Sequence, residues 1–297
     1  MAEIIRIDSE LISGFRPERQ EDGHKNTFGT TLICAGSEFM TGAAVLACGA
    51  ALRSGAGLVR VFSEEKTLNA VSCIEPCALL ELRPEGTAGL QRKASDLSKK
   101  ASSVLIGPGI PTDYGDMEAL TEVFLRDAAN IILDAGALAY RPDVLSRLKE
   151  RLRARAVPAV ITPHAGEFAR MLGVPVQEIS DNGGDKALCF AAENNCIVVL
   201  KSYRTLIAVP GGDLYTLNEP NSGLAKGGSG DVLAGLAAGF LAQGMEPYKA
   251  ACSAVFIHSK AGRAAADDIG EICMLPADLL NYLPEGYLEA GWSDGND

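Results

Sequence analysis

Short β-branched runs alternate with stretches of helical apolar spacing almost from one end of this chain to the other. The apolar runs predict strands over Thr31–Cys34, Leu58–Phe62, Val104–Ile106, Ile131–Leu133, Ala159–Ile161, Ile197–Leu200, Leu206–Val209 and Leu214–Thr216. The last two read as a hairpin turning at Pro210-Gly211-Gly212-Asp213. Helical spacing covers Gly42–Arg53, Ala88–Lys100, Met117–Arg126, Pro142–Ala154, Glu167–Leu172, Lys186–Asn194, Val232–Gln243 and Tyr248–Ala266. Strands that read apolar throughout, each followed by a helix, predict an α/β fold with a mostly parallel sheet covered on both faces. No Pro/Ser-rich linker, charge block or fixed repeat divides the chain, so residues 1–297 read as a single domain with a frayed tail at Asp294-Gly295-Asn296-Asp297.

Composition narrows the partners. With 47% hydrophobic and 22% charged residues the chain can bury a large core. Its net charge of -11 argues against a general nucleic-acid or anionic-membrane binder, since such surfaces are held by clustered Lys and Arg. Any phosphate ligand must be gripped locally. No apolar run approaches the roughly 20 residues of a membrane span, and no signal-peptide pattern opens the chain, which points to a cytoplasmic protein. Cys34, Cys48, Cys196 and Cys252 lie in apolar stretches and read as reduced core thiols; the C-x₃-C pair Cys73 and Cys77 is a weak metal signal.

In an open parallel sheet, ligands bind beyond the carboxyl ends of the strands, and there the unusual residues gather. Gly223-Leu224-Ala225-Lys226-Gly227-Gly228-Ser229-Gly230-Asp231-Val232-Leu233 joins a glycine-rich loop to an apolar helix. Such a loop turns N–H groups toward an anion at a positively polarised helix end. It is not a Walker A loop, because Lys226 precedes the glycines, nor a G-x-S-x-G elbow, because the fifth position is Asp231. Asp231 either caps the helix or receives a proton from a hydroxyl being activated. Thr162-Pro163-His164-Ala165-Gly166-Glu167 runs from a strand into a helix, placing His164 and Glu167 on one face; they either cap that helix or bind substrate and, through water, Mg²⁺. Lys201-Ser202-Tyr203-Arg204-Thr205 puts two cations and a hydroxyl at a strand end, suited to a nucleotide's phosphates or to a solvated turn. Gly36 to Ala44, Gly107-Pro108-Gly109 and Asp134-Ala135 mark three more strand ends. His258, in an Ala-rich helix, reads as an interhelix histidine.

In order along the chain, Lys25-Asn26-Thr27-Phe28-Gly29, Gly36-Ser37 through Gly42-Ala43-Ala44, Arg53-Ser54-Gly55-Ala56-Gly57, Gly107-Pro108-Gly109, Asp134-Ala135, Thr162 to Glu167 and Gly227 to Gly235 resemble the NAD(P)H-hydrate dehydratases of the ribokinase-like superfamily. The resemblance covers nearly the whole chain. It implies a ribokinase-like three-layer αβα sandwich and the repair of hydrated NADH or NADPH. ADP or ATP would phosphorylate the ring hydroxyl, and phosphate would then be eliminated. It further implies Asp231 as catalytic base, and Ala43, Gly109, His164 and Asp231 at the hydrate. Lys201, Ser202, Tyr203, Arg204, Thr205, Gly228, Ser229 and Gly230 would lie at the nucleotide, and Glu167 at Mg²⁺. A homo-oligomer, in the family a tetramer, and a separate epimerase acting beside it are expected, since the chain starts too close to the dehydratase pattern to hold an epimerase domain in front. Two positions depart from the family pattern, Ser202 where glycine is usual and Lys226 where a small or hydroxyl residue is usual. The alternative on the same fold is a kinase of a small alcohol, such as a sugar or vitamin precursor.

Overall fold

The computed structural model describes residues 3–112, 114–138 and 141–292; the tail expected to fray lies outside them. Its strands are β1 (Ile4–Arg6), β2 (Thr30–Cys34), β3 (Leu58–Ser63), β4 (Leu79–Leu82), β5 (Ser103–Ile106), β6 (Asn130–Leu133), β7 (Ala159–Ile161), β8 (Cys196–Leu200), β9 (Arg204–Ala208) and β10 (Leu214–Asn218). The helices are α1 (Ser9–Ser13), α2 (Thr41–Arg53), α3 (Glu65–Ile74), α4 (Thr87–Ser98), α5 (Met117–Asp127), α6 (Pro142–Arg153), α7 (Ala165–Leu172), α8 (Val176–Asn194), α9 (Ser229–Ala242), α10 (Pro247–Ile269) and α11 (Leu279–Glu289).

One sheet runs through all ten strands in the order β1-β10-β9-β8-β7-β6-β5-β2-β3-β4. Every neighbouring pair is parallel except β8–β9 and β9–β10. The hairpin closes as expected, with Val209 N donating to Asp213 O and Gly212 N to Val209 O. Successive strand residues enter different cores. Ile33, Leu105, Ile132, Val160 and Ile197 pack under α2, α9, α10 and α11, whereas Leu32, Val104, Ile131, Ile161 and Val198 pack under α4 to α8. The result is the three-layer α/β arrangement that the apolar strands require.

The sequence pattern missed the elements with the weakest burial signal. Strand β1 is three residues long with Ile4 exposed, and β4 lies at the opposite sheet edge with Leu79, Leu80 and Leu82 all exposed. Neither carries the alternation that marks a half-buried strand. Helices α1 and α3 were missed as well, and so was α11, which contains Pro284. Helix α8 begins at Val176 rather than Lys186, because it continues through Gly183, Gly184 and a kink at Asn182.

Helix α9 sits at the centre of its layer. From Val232 to Ala242 it is buried on all sides and carries no charge. Its approach to α2 depends on two glycines one turn apart. A Cβ on Gly235 would lie 2.3 Å from the Ala47 carbonyl oxygen, and one on Gly239 would lie 1.8 Å from Ser54 Oγ. Backbone thus meets backbone, which fixes the depth at which the loop before α9 is presented. Gly235→Ala should destabilise the fold by about 1–3 kcal/mol, seen as a lower thermal unfolding midpoint. Gly89→Ala, whose Cβ would find only ordinary contacts with Pro84 at 3.8 Å, should be neutral or slightly stabilising. Equal midpoints for the two variants would contradict the close-packing account.

Candidate active site

The chain leaves β2 through α2 toward β3, and leaves β5 through α5 toward β6, so the strand order reverses between β2 and β5. Such a reversal opens a crevice between the two outgoing loops. Here the loops are stitched together, Gly107 N donating to Cys34 O (3.1 Å) and Gly36 N to Pro108 O (2.8 Å). Gly109, at φ 63°, faces α2 closely: a Cβ there would lie 2.6 Å from Ala43 Cβ and 2.8 Å from Met40 O. Ala43 and Gly109 are therefore packed in van der Waals contact beside that cleft. No side chain caps α2, and Gly42 in its first turn is exposed to open space, so the positive end of the helix faces that cleft.

Beyond β6, β7 and β8, three side chains converge. Asp134 is 2% exposed, and its Oδ1 accepts from Lys201 Nζ at 2.8 Å and from Thr162 Oγ1 at 2.7 Å. The Asp134 side chain does not cap the 3₁₀ turn that follows it, so its carboxylate is committed to this cluster. Burial alone would push the Lys201 ammonium down, but the charges of Asp134, Glu167 and Asp231 outweigh it and hold Lys201 above its ordinary value. A Cβ on Gly230 would lie 3.2 Å from Lys201 Nζ. The ion pair therefore abuts the first turn of α9.

Asp231 is the third residue of α9. The cap position is Gly228, in the left-handed region at φ 109°, and no side chain caps the helix. This disposes of the capping alternative for Asp231. Its carboxyl is pushed up to about 7, first by burial, then by the Asp134 charge, with Lys201 pulling the other way. A carboxyl poised there is half ionised near neutrality and suited to accept a proton. His258 of α10 supports the same turn from behind: its buried Nε2 lies 3.0 Å from Ser229 O and 3.1 Å from Ser229 Oγ. Burial pushes this imidazole down to about 4, so it stays neutral and acts as an interhelix bond.

His164 and Glu167 form a capping box on α7. Nδ1 of His164 accepts from Gly166 N (3.0 Å) and Glu167 N (3.2 Å), while Glu167 Oε2 accepts from His164 N (2.8 Å). Because Nδ1 accepts, the ring hydrogen lies on Nε2, on a side chain that is 53% exposed. The cap and a substrate-facing donor are thus compatible in one residue. Glu167 Oε1 stays 3.6 Å from that Nε2, outside hydrogen-bond reach. Among the described residues no group of three or more His, Cys, Asp or Glu could hold a metal ion.

The Lys201–Thr205 segment divides in two. Lys201 turns inward, its N donating to Pro163 O at 2.9 Å, while Ser202 and Arg204 are exposed and Tyr203 is 73% exposed at the β8–β9 turn. The hydroxyls close the turn on itself, Ser202 Oγ donating to Arg204 O (2.6 Å) and Thr205 Oγ1 to Ser202 O (3.1 Å). Lys226 does not face this turn. Its ammonium donates to the carbonyls of Ile272 and Met274, tying the glycine loop to the segment before α11. Sequence reasoning left Asp134 as either a site residue or a helix cap and gave Thr162 no role of its own, because Lys201 is 67 residues from Asp134.

The architecture defines the class first. A ribokinase-like superfamily protein from Enterococcus faecalis superposes with a TM-score of 0.79 at 25% identity, over 98% of this chain and 97% of that one; the fold is ribokinase-like. The family model described as NAD(P)H-hydrate dehydratase matches residues 31–285, and this chain belongs to that family. The ADP-dependent (S)-NAD(P)H-hydrate dehydratase of Bacillus subtilis is 37% identical over 279 residues, covering 93% of this chain and 95% of its own length. A Bacillus subtilis ADP/ATP-dependent NAD(P)H-hydrate dehydratase co-crystallized with ATP and Mg²⁺ gives a TM-score of 0.87 at 32% identity, over 98% of this chain and 100% of that one. A bifunctional NAD(P)H-hydrate repair enzyme from Moorella thermoacetica is 36% identical over 90% of this chain, which spans 51% of that longer protein. The resemblance read from the motifs therefore holds.

Two measurements test the electrostatics. In a carbon-detected NMR titration, Asp134→Asn should lower the Asp231 transition below its wild-type midpoint near 7, and Lys201→Met should raise it. Shifts of the same sign would contradict the assignment. The folded value of Asp231 lies above the ordinary 3.8, so its favourable contribution is complete below about pH 4 and is lost as pH rises through about 7. Asp231→Asn should accordingly raise the thermal midpoint relative to wild type at pH 8 and leave the difference near zero at pH 4.

Proposed function

We propose that this chain, as a single domain, dehydrates the S epimer of hydrated NADH and NADPH with ADP or ATP as co-substrate, restoring the intact cofactor. The observation that carries the reading is Asp231, a buried carboxyl raised to about 7 in the first turn of α9, beside the Gly228–Gly230 loop and Lys201.

In this reading the ring hydroxyl of the hydrate lies against Asp231, with Ala43, Gly109 and the exposed Nε2–H of His164 lining its pocket. Asp231 takes the hydroxyl proton as the oxygen attacks the terminal phosphorus of the nucleotide. The backbone N–H groups of Gly228, Ser229 and Gly230 and the Lys201 ammonium stabilise the charge that moves between phosphates. Ser202, Tyr203, Arg204 and Thr205 flank the nucleotide at the β8–β9 turn. Mg²⁺ bound with the nucleotide would neutralise phosphate charge, and Glu167 would hold it through water. Cleavage of the ring carbon–oxygen bond then releases inorganic phosphate, and loss of a proton from the adjacent carbon restores the double bond.

A homo-oligomer, a tetramer by resemblance to the family, working in the cytoplasm with a separate epimerase is part of the same proposal. The chain spans 51% of the length of the bifunctional repair enzyme it matches. Among the described residues no helix is long and apolar enough to cross a membrane.

Purified protein given hydrated NADH, Mg²⁺ and either nucleotide should recover the dihydronicotinamide absorbance. No recovery with either nucleotide would overturn the reading, and a stable phosphate ester in its place would indicate a small-alcohol kinase. The rate should rise with pH through about 7 as Asp231 ionises. Asp231→Asn should lower kcat by about 10²–10⁴-fold while nucleotide still binds.

A further inference from the structure

Arg83 follows β4 directly, its N donating to Ser63 O at 2.8 Å, and sends its side chain back across β3 to the end of β2. There Nη2 donates to Gly36 O (2.6 Å), Ser63 Oγ (3.0 Å) and Ala35 O (3.3 Å), and Ser63 Oγ itself donates to Ala35 O (2.6 Å). The residue is 7% exposed. Nε and Nη1 are buried without a hydrogen-bond partner. Among the described residues no carboxylate pairs with Arg83, and the ring centroid of Tyr114 lies 5.6 Å from its guanidinium carbon.

A buried guanidinium without a counter-charge is costly, and buried arginines are ordinarily matched to an acid. Here a single nitrogen serves all three acceptors and the rest of the charge goes unanswered. Its position explains what it does. The Gly36 N–H is already spent on Pro108 O, but by holding the Gly36 carbonyl inward, Arg83 turns the N–H of Ser37, on the opposite side of that trans peptide, toward the crevice between β2 and β5. That crevice already receives the uncapped N-terminus of α2, with Gly42 open to solvent and Gly109 packed beside it. The acid in this loop, Glu38, lies 3.7 Å from Lys66, so its charge is offset.

Building on the reading under Proposed function, we propose that Arg83 is a positioning residue whose unneutralised charge stands behind an anion-binding cradle at the β2–α2 loop, and that this cradle holds the phosphates of the hydrated dinucleotide. The geometry of the sheet supports the match. Strands are about 4.8 Å apart, so the end of β2 lies roughly 10 Å from that of β6. That is about the reach from a nicotinamide ring beside Asp231 to the pyrophosphate of the same molecule. The nucleotide co-substrate, at the β8–β9 turn, lies on the other side of Asp231. Arg83 therefore acts on the damaged cofactor and not on ADP or ATP.

The test compares wild type, Arg83→Met and Arg83→Lys with three substrates: hydrated NADH, ADP, and the hydrated reduced nicotinamide nucleoside, which carries no phosphate. Arg83→Met should raise KM for hydrated NADH at least tenfold, keep KM for ADP and for the nucleoside within twofold, and change kcat little; Arg83→Lys should recover most of the loss. Equal losses for dinucleotide and nucleoside, an unchanged KM for hydrated NADH, or a fall in kcat alone would overturn the proposal. If Arg83→Met does not fold, Arg83→Gln serves in its place, and equal losses in the Gln and Lys variants would again overturn it. If wild type restores no hydrate at all, the functional reading fails first, and the cradle is then judged by fluorescence-detected NADH binding. Tenfold weaker binding in Arg83→Met than in wild type supports it, and equal binding overturns it.

Discussion

The contact between Lys201 Nζ and Asp134 Oδ1 joins the ends of β6 and β8 across β7, and the remaining site geometry is arranged around it. Two charges are withdrawn from water here, a costly step unless each finds a close partner and further hydrogen bonds. Thr162 supplies one such bond from β7, and the backbone of Lys201 is pinned to Pro163. The pair then sets the electrostatics of the adjacent helix: Asp134 raises the Asp231 carboxyl, while Lys201 restrains it. A carboxyl raised to about 7 results from burial and this balance together.

The balance has to be held in place, and the packing of α9 does so. An apolar helix closed in by α2, α10 and the sheet cannot tilt without opening a core, and Gly235 brings it against the α2 backbone. His258 fixes the first turn from the side away from the cleft. The glycine loop is therefore presented by a rigid helix, with Lys226 tying it to the carbonyls of Ile272 and Met274. On the opposite side of Asp231, the strand order reverses between β2 and β5, which opens the crevice between their outgoing loops.

Much of this was legible in the chain. The apolar runs that became β2, β3 and β5 to β10 are buried on both faces, so their composition alone identified them, and the loops after β2, β5, β6, β7 and β8 are where the unusual residues stood. Edge elements were not legible: Leu79, Leu80 and Leu82 of β4 carry strand-forming residues without the burial that gives them a pattern. Arg83 followed them unnoticed for the same reason. Its meaning comes from Ala35, Gly36 and Ser63, which only the pairing of β2, β3 and β4 brings within reach.

The sequence by itself determined the layered α/β fold, the loops that carry chemistry and the family to which they belong, because periodicity and glycine spacing are local and need no partner to be read. It left Asp231 as either a cap or a base, and His164 as either a cap or a ligand. Tertiary structure answered the capping half of each, excluding Asp231 from the cap position and showing that His164 caps through one nitrogen while exposing the other. It also turned Lys226 away from the β8–β9 turn and drew Lys201 toward Asp134. Burial and the separation of charges fix the protonation of a side chain, and both are properties of the folded arrangement rather than of any segment within it.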